Sequence, residues 1–515
     1  MPLRNDTNVM EQPIKGHILD NHKLLNGVSR RELLRSAAAA FTATAVSQSG
    51  LLAAASDAPT EQFTTLTQRP PLVERHFNSP IVEETIRRVS SQIADPKLAL
   101  IFSNCLPNTL DTTVYPGTYH GEPDTFVITG DIDAMWLRDS SAQVWPYLPF
   151  CSKDARLSLL IEGVIRRQAR CILLDPYANA FLRDPSSKPL PWTEHDNTTM
   201  KPGVGERKWE IDSLCYTIRL AHGYWQATGN SAPFDADWLE ASRAIVRTFR
   251  QQQRKHGPGP YHFQRAAEQP TDTLPLGGYG NPARPVGLIY SGFRPSDDAC
   301  TFPLFIPANL FAVTSLRQLA RMAAKLGNDS ALANECIALA DEVAAALEQY
   351  GQIETKDHGT IWAYEVDGYG NTLRMDDANA PGILSLEYLG CVSAAQRSLY
   401  ERSRAFVLST DNPYFFQGSA ADGVGGPHIG LGYIWPMSIM FRAFTSTNDK
   451  EMLQCLRWLR DTTAGTHFMH ESFWKDNPAK YTRPWFAWAN TLFGELILTL
   501  AAEKPHLLKT SFQNA

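Results

Sequence analysis

The chain of 515 residues contains no CxxC pair and no low-complexity tract. Outside one stretch near its start it has no apolar run approaching the ~20 residues that span a bilayer. A formal charge of −6 leaves no basic surface for tracking phosphates, which excludes nucleic acid as a partner. The eight cysteines, at 105, 151, 171, 215, 300, 336, 391 and 455, have neither zinc-knuckle nor disulfide-framework spacing. Cys336 and Cys455 read as small core residues on helices, although an exported protein has the option of pairing some of the eight. No GxSxG nucleophile elbow occurs. GVGGPHIGLGY (423–433) lacks the Lys-Ser/Thr of a phosphate loop and reads as a flexible loop over a cleft. HFMHE (467–471) sets two histidines three apart, which would share a helix face, but no third ligand follows. Neither a metal nor another cofactor is expected.

Near the start, SRRELLR (29–35) precedes SAAAAFTATAVSQSGLLAAAS, which carries no charge and ends in small residues. A twin arginine before a modest apolar run resembles a Tat export signal, assigned to residues 1–55. The expected destination is the bacterial periplasm, with no membrane attachment after export.

Beyond residue 80 the apolar spacing is mostly helical and strand-like alternation is scarce. In 331–350 the positions Leu332, Cys336, Leu339, Val343 and Leu347 draw one stripe. Similar patterns fall at 82–94, 153–173, 210–227, 235–252, 304–326, 396–408, 428–445, 450–462 and 484–502. Long loops rich in Gly, Pro, Asn and Asp separate them at 185–207, 256–298, 366–382 and 410–427. About a dozen helices with alternately short and long loops predict one large all-α domain, a toroid over roughly 75–505 whose long loops gather at one end. No repeat of fixed period points to a solenoid.

The charges collect in those loops, beside aromatics. TGDIDAMWLRDSSAQVWPYL (129–148) holds Asp131, Asp133, Trp136, Arg138 and Asp139, and RKWEIDSL (207–214) holds Glu210 and Asp212. RPSDDA, from Arg294, and RMDDAN, from Arg374, each set two adjacent aspartates after an arginine, ahead of an apolar stretch read as helical. A cap would explain one aspartate of each pair. It does not explain acid, arginine and aromatic recurring together. A pyranose needs such a lining: carboxylates and guanidinium forks for its hydroxyls, a ring for its apolar face. Glycosidic hydrolysis adds a protonated carboxyl for the leaving oxygen and a second carboxylate for water or the anomeric carbon.

On these blocks, together with HESF and TRPWFAWANTLFGEL near the C-terminus, the sequence is similar to glycoside hydrolase family 125, the exo-α-1,6-mannosidases, over about 75–502. The resemblance implies an (α/α)6 barrel, no metal, and release of terminal mannose from N-glycans or mannan with inversion. It places the general acid in RPSDDA, assigned to Asp298 with Asp297 as a sugar ligand or the reverse, and the general base at Glu471. Trp136, Arg138, Asp139, Arg294, Asp376, Asp377, Asn379 and His428 would line the terminal-sugar pocket. Asp133 stands where many relatives have proline. The partner is thus a mannose-containing oligosaccharide. The alternatives are a related toroid glycosidase acting on α-glucosides, and a non-catalytic sugar-binding protein that keeps the pocket.

Overall fold

The computed structural model describes residues 67–512. The twin-arginine stretch and its apolar run lie outside the described residues. Helices dominate one domain: α1 (Pro80–Ser90), α2 (Pro96–Cys105), α3 (Asn108–Thr112), α4 (Leu137–Val144), α5 (Ala155–Leu174), α6 (Ile211–Thr228) and α7 (Ala236–Gln252). They continue as α8 (Ile306–Lys325), α9 (Ser330–Tyr350), α10 (Arg397–Val407), α11 (Pro436–Phe444), α12 (Asp449–Asp461) and α13 (Ala487–Glu503). Among the described residues no helix is long and apolar enough to cross a membrane.

Burial sorts these helices into two kinds. Every residue of α4 is buried, as are most of α6, α8, α11 and α13. By contrast α5, α7, α9 and α12 bury one stripe and show the other face to solvent. The stripe read in 331–350 is such a case, with all five of its residues buried in α9. Each fully buried aliphatic side chain there contributes about 1.5–3 kcal/mol. Among the inner helices α4 packs on α6, α6 on α8, α11 on α13, and α13 returns to α4.

The two kinds also start differently. Asp154, Asp235, Asp329 and Asn448 cap α5, α7, α9 and α12 by accepting first-turn amides. The inner helices α4, α8, α11 and α13 begin at Trp136, Phe305, Trp435 and Phe486, with no side-chain cap.

Strands correct the all-α expectation. Three small three-stranded antiparallel sheets sit at the mouths of inner helices. The first joins β3 (Met135–Trp136), β4 (Ala180–Phe181) and β5 (Val204–Glu206). The second joins β6 (Leu304–Phe305), β9 (Glu365–Val366) and β10 (Thr372–Leu373). The third joins β13 (Tyr433–Ile434), β14 (Phe473–Trp474) and β15 (Asn477–Tyr481). Hairpins complete the set: β1 (Val114–Tyr119) with β2 (Glu122–Val127), β7 (Gln352–Thr355) with β8 (Gly359–Trp362), and β11 (Phe415–Gln417) with β12 (Asp422–Val424). Strands of two to six residues are too short to print an alternation.

Three helical readings shorten or vanish. Residues 428–435 are loop and strand, because Gly430 and Gly432 take φ of +103° and +83° and Pro436 fixes the first turn of α11. No helix follows RMDDAN, since 383–390 form successive turns. HFMHE is not helical either, and His467 has a φ of 56°. His470 turns its Nδ1 to the carbonyls of Arg483 and Pro484 and stacks on Tyr481 at 4.1 Å. All eight cysteines are unpaired and buried.

Candidate active site

The capping account of the aspartate pairs fails at RPSDDA. The helix that follows, α8, starts eight residues after Asp298 and has no side-chain cap. Instead residues 294–298 close on themselves: the Asp297 amide donates to the Arg294 carbonyl at 2.9 Å, and the Arg294 amide to the Asp298 carbonyl at 2.8 Å. Asp297 sits at φ 65°, a left-handed conformation that costs a non-glycine residue on the order of 1 kcal/mol. Lys208 holds it there, with Nζ donating to the Asp297 carbonyl at 2.8 Å and to Asp272 at 2.6 Å. The twist sends the two carboxylates to different partners. Asp297 meets Arg138 and Asn179, both at 3.4 Å, while Asp298 meets His428 Nδ1 at 3.3 Å.

Arg138, in the first turn of α4, is the hub. Its Nη1 reaches Glu210 at 2.6 Å and Asp212 at 3.2 Å, its Nη2 reaches Asp297, and its Nε lies 3.5 Å from Asp139. One buried cation thus faces four buried carboxylates. Desolvation dominates the ionisation of Asp212 and Glu210. Burial pushes Asp212 up to about 6 although Arg138 pulls it down. Glu210 is raised well above the usual carboxylate range by burial, with the Asp297 and Asp212 charges adding to the push against Arg138. Glu210 is thus the member of the cluster that burial most strongly disposes to hold a proton.

The second aspartate pair divides its work. Asp376 accepts the amides of Ile383 and Leu384 at 2.8 and 2.9 Å, so it holds the turn that stands in place of the expected helix. Burial raises it strongly. Asp377 turns toward the RPSDDA loop, accepting from Ser296 Oγ at 3.1 Å and from the Asn379 amide at 3.0 Å. Burial raises it and the Arg294 guanidinium opposes that. Arg294 itself is bound to Glu365 at 2.6 Å, and Glu365 also accepts the amides of Thr301 and Phe302. Arg294 therefore braces the loop. Trp136 is wholly buried in a small cluster with Ile132, Ala134, Ala180, Leu182 and Leu190, backed by Trp192. Asp133, the departure from proline, is exposed and pairs with Arg183 at 3.0 Å.

Glu471 lies just before β14, and β13 follows the loop that carries His428, so the third sheet ties the two segments together. Thr482 donates to one Glu471 oxygen at 2.9 Å and Arg483 approaches the other at 3.4 Å.

A family model described as metal-independent α-mannosidase, GH125, matches residues 95–498. The chain belongs to glycoside hydrolase family 125. It is 42% identical over 459 residues to the meiotically up-regulated gene 157 protein of Schizosaccharomyces pombe, covering 86% of this chain and 90% of the relative. It superposes with a TM-score of 0.79 and 38% identity on the Streptococcus pneumoniae metal-independent α-mannosidase, solved in a non-productive complex with α-1,6-mannobiose. That match covers 83% of this chain and all of the other. The family member described here is thus a glycoside hydrolase of the α-mannosidase type, with mannose oligosaccharide as its substrate class.

Sequence reasoning quoted Glu210 and Asp212 in their block but did not place them in the pocket of this GH125 enzyme. It missed Asn179, Lys208, Glu365, Thr482 and Arg483 altogether. Lys208 stands in RKWEIDSL, and Thr482 and Arg483 in TRPWFAWANTLFGEL, yet none of the three was singled out there; Asn179 and Glu365 stand in no such block.

Proposed function

We infer that this family member is an exo-acting, inverting α-1,6-mannosidase with Asp298 as general acid and Glu471 as general base, built on a closed (α/α)6 arrangement. The observation that carries the reading is the unlike company of the two carboxylates. Glu471 is met by a guanidinium and a hydroxyl donor, both of which favour the ionised form a base needs. Asp298 instead shares its loop with Asp297, lies near Asp377 and meets His428 Nδ1 at 3.3 Å. In the step, a water oxygen attacks the anomeric carbon as its proton passes to Glu471. The glycosidic bond breaks, and its electron pair stays on the leaving oxygen, which takes the proton of Asp298. Ring-neighbour packing of α4, α6 and α8, and of α11, α13 and α4, supports the closed arrangement. The α-1,6-mannobiose bound to the Streptococcus relative supports the linkage.

The test is time-resolved proton NMR of the purified protein with α-1,6-mannobiose. β-Mannose appearing before mutarotation is the expected result. α-Mannose appearing first overturns inversion, and no released mannose overturns the linkage.

A further inference from the structure

Behind Glu471 the two donors that meet it, Arg483 and Thr482, converge with a third residue that the reaction scheme does not use, Asp131. Arg483 follows β15 and is almost fully buried, with 2% of its side chain exposed. Its guanidinium is divided between two carboxylates: Nε and Nη2 face Asp131, with Nε at 3.1 Å, while Nη1 faces Glu471 at 3.4 Å. Asp131 comes from the loop before β3, far away in the chain, and a third of its side chain is exposed. Its loop is seated closely: a Cβ on Gly130, at φ +131°, would stand 3.0 Å from the Trp485 ring. Thr482 completes the set, with its hydroxyl on the second Glu471 oxygen and 2.9 Å from Ser472 Oγ.

We propose that Arg483, Asp131 and Thr482 are positioning residues that aim Glu471 and set how readily it ionises, Asp131 acting by neutralising part of the Arg483 charge. This rests on Glu471 being the base. A purely structural clamp between the Asp131 loop and the β15–α13 turn would use the same bonds, but it would leave the ionisation of Glu471 alone. Among the other titratable groups on or beside these segments are Asp133, which pairs with Arg183, Tyr481, which stacks on His470, and the histidines His470 and His428. Burial pushes His470 down to about 4, so it stays neutral over the working range, and its Nδ1 is engaged by carbonyls. His428, on the loop before β13, is paired with Asp298.

The relay predicts shifts of opposite sign in one observable. The acidic limb of the kcat/KM–pH profile reports ionisation of the base in the free enzyme. Asp131→Asn leaves the Arg483 charge undivided, so the limb moves to lower pH. Arg483→Met removes the cation and leaves Asp131 facing Glu471, so the limb moves to higher pH, by about 1 unit or more. Thr482→Val moves it the same way by less, and Arg483→Lys restores much of the wild-type position. The assay is full pH profiles of the full chain on α-1,6-mannobiose, with Glu471→Gln alongside. Opposed shifts for Asp131→Asn and Arg483→Met, with Glu471→Gln inactive, establish the relay. If Arg483→Met does not fold, opposed shifts between Asp131→Asn and Thr482→Val establish it equally. Uniform rate losses with an unmoved limb, while Glu471→Gln is inactive, overturn the relay and leave the base assignment standing. Full turnover by Glu471→Gln overturns both.

Discussion

Replacing Asp212 by asparagine should make the protein more stable above neutral pH, although the change breaks an ion pair. Asp212 is fully buried on Arg138, yet burial outweighs that cation and lifts its carboxyl from 3.8 to about 6. A carboxyl whose folded value lies above its unfolded one contributes stability that is complete below pH 3.8 and gone once pH has passed about 6. The shift of roughly 2 units corresponds to about 3 kcal/mol at 1.36 kcal/mol per unit. An amide carries no such titration. The variant's advantage should therefore grow from about 1 kcal/mol near pH 4.5 to about 3 kcal/mol at pH 8, as a rise in unfolding midpoint. Activity should move the other way, falling about tenfold or more, because Arg138 loses one of the carboxylates that aim it at Asp297. Urea or thermal unfolding at both pH values, with initial rates on α-1,6-mannobiose, tests this. Equal destabilisation at pH 4.5 and pH 8 would refute the reasoning.

Asp298→Asn should lose about 100-fold or more on α-1,6-mannobiose but far less on an aryl α-mannoside whose leaving group needs no proton. If Asp297→Asn shows that selective recovery instead, the acid is Asp297. Gly432→Ala should cost about 2–4 kcal/mol, since its φ is +83° and a Cβ would run into the Trp474 ring. Gly430→Ala, with φ +103° and nothing within 4 Å, should cost roughly 1–2 kcal/mol, and thermal melts of the pair compare them. Thiol titration without reductant should find almost no reactive cysteine in the native protein and all eight after unfolding.

The helical part of the fold was legible because stripes such as Leu332–Leu347 bury one face and keep a period. What escaped were pieces whose structure depends on distant partners. The strands carry too few residues to alternate, and they exist because Trp136 pairs with Ala180, Phe305 with Glu365, and Ile434 with Phe473. At RMDDAN the spacing read as a helix mouth, yet Asp376 found its amides in turns seven and eight residues on. Within the site, Arg138 and the aspartate pairs announced themselves by composition. Lys208 and Arg483 stand in quoted blocks too, but what they brace lies far along the chain, and no local pattern shows that.

The three small sheets have a kinetic consequence. Each fastens a segment from one part of the chain beside a segment from elsewhere, and the last of them needs β13, β14 and β15 all in place. Closing such distant loops is slow compared with winding single helices. On refolding, the helical signal should thus return well before hydrolysis does. In that interval the chain resembles a finished enzyme to a spectrometer, yet the Glu471 segment has still to meet the loop that carries His428.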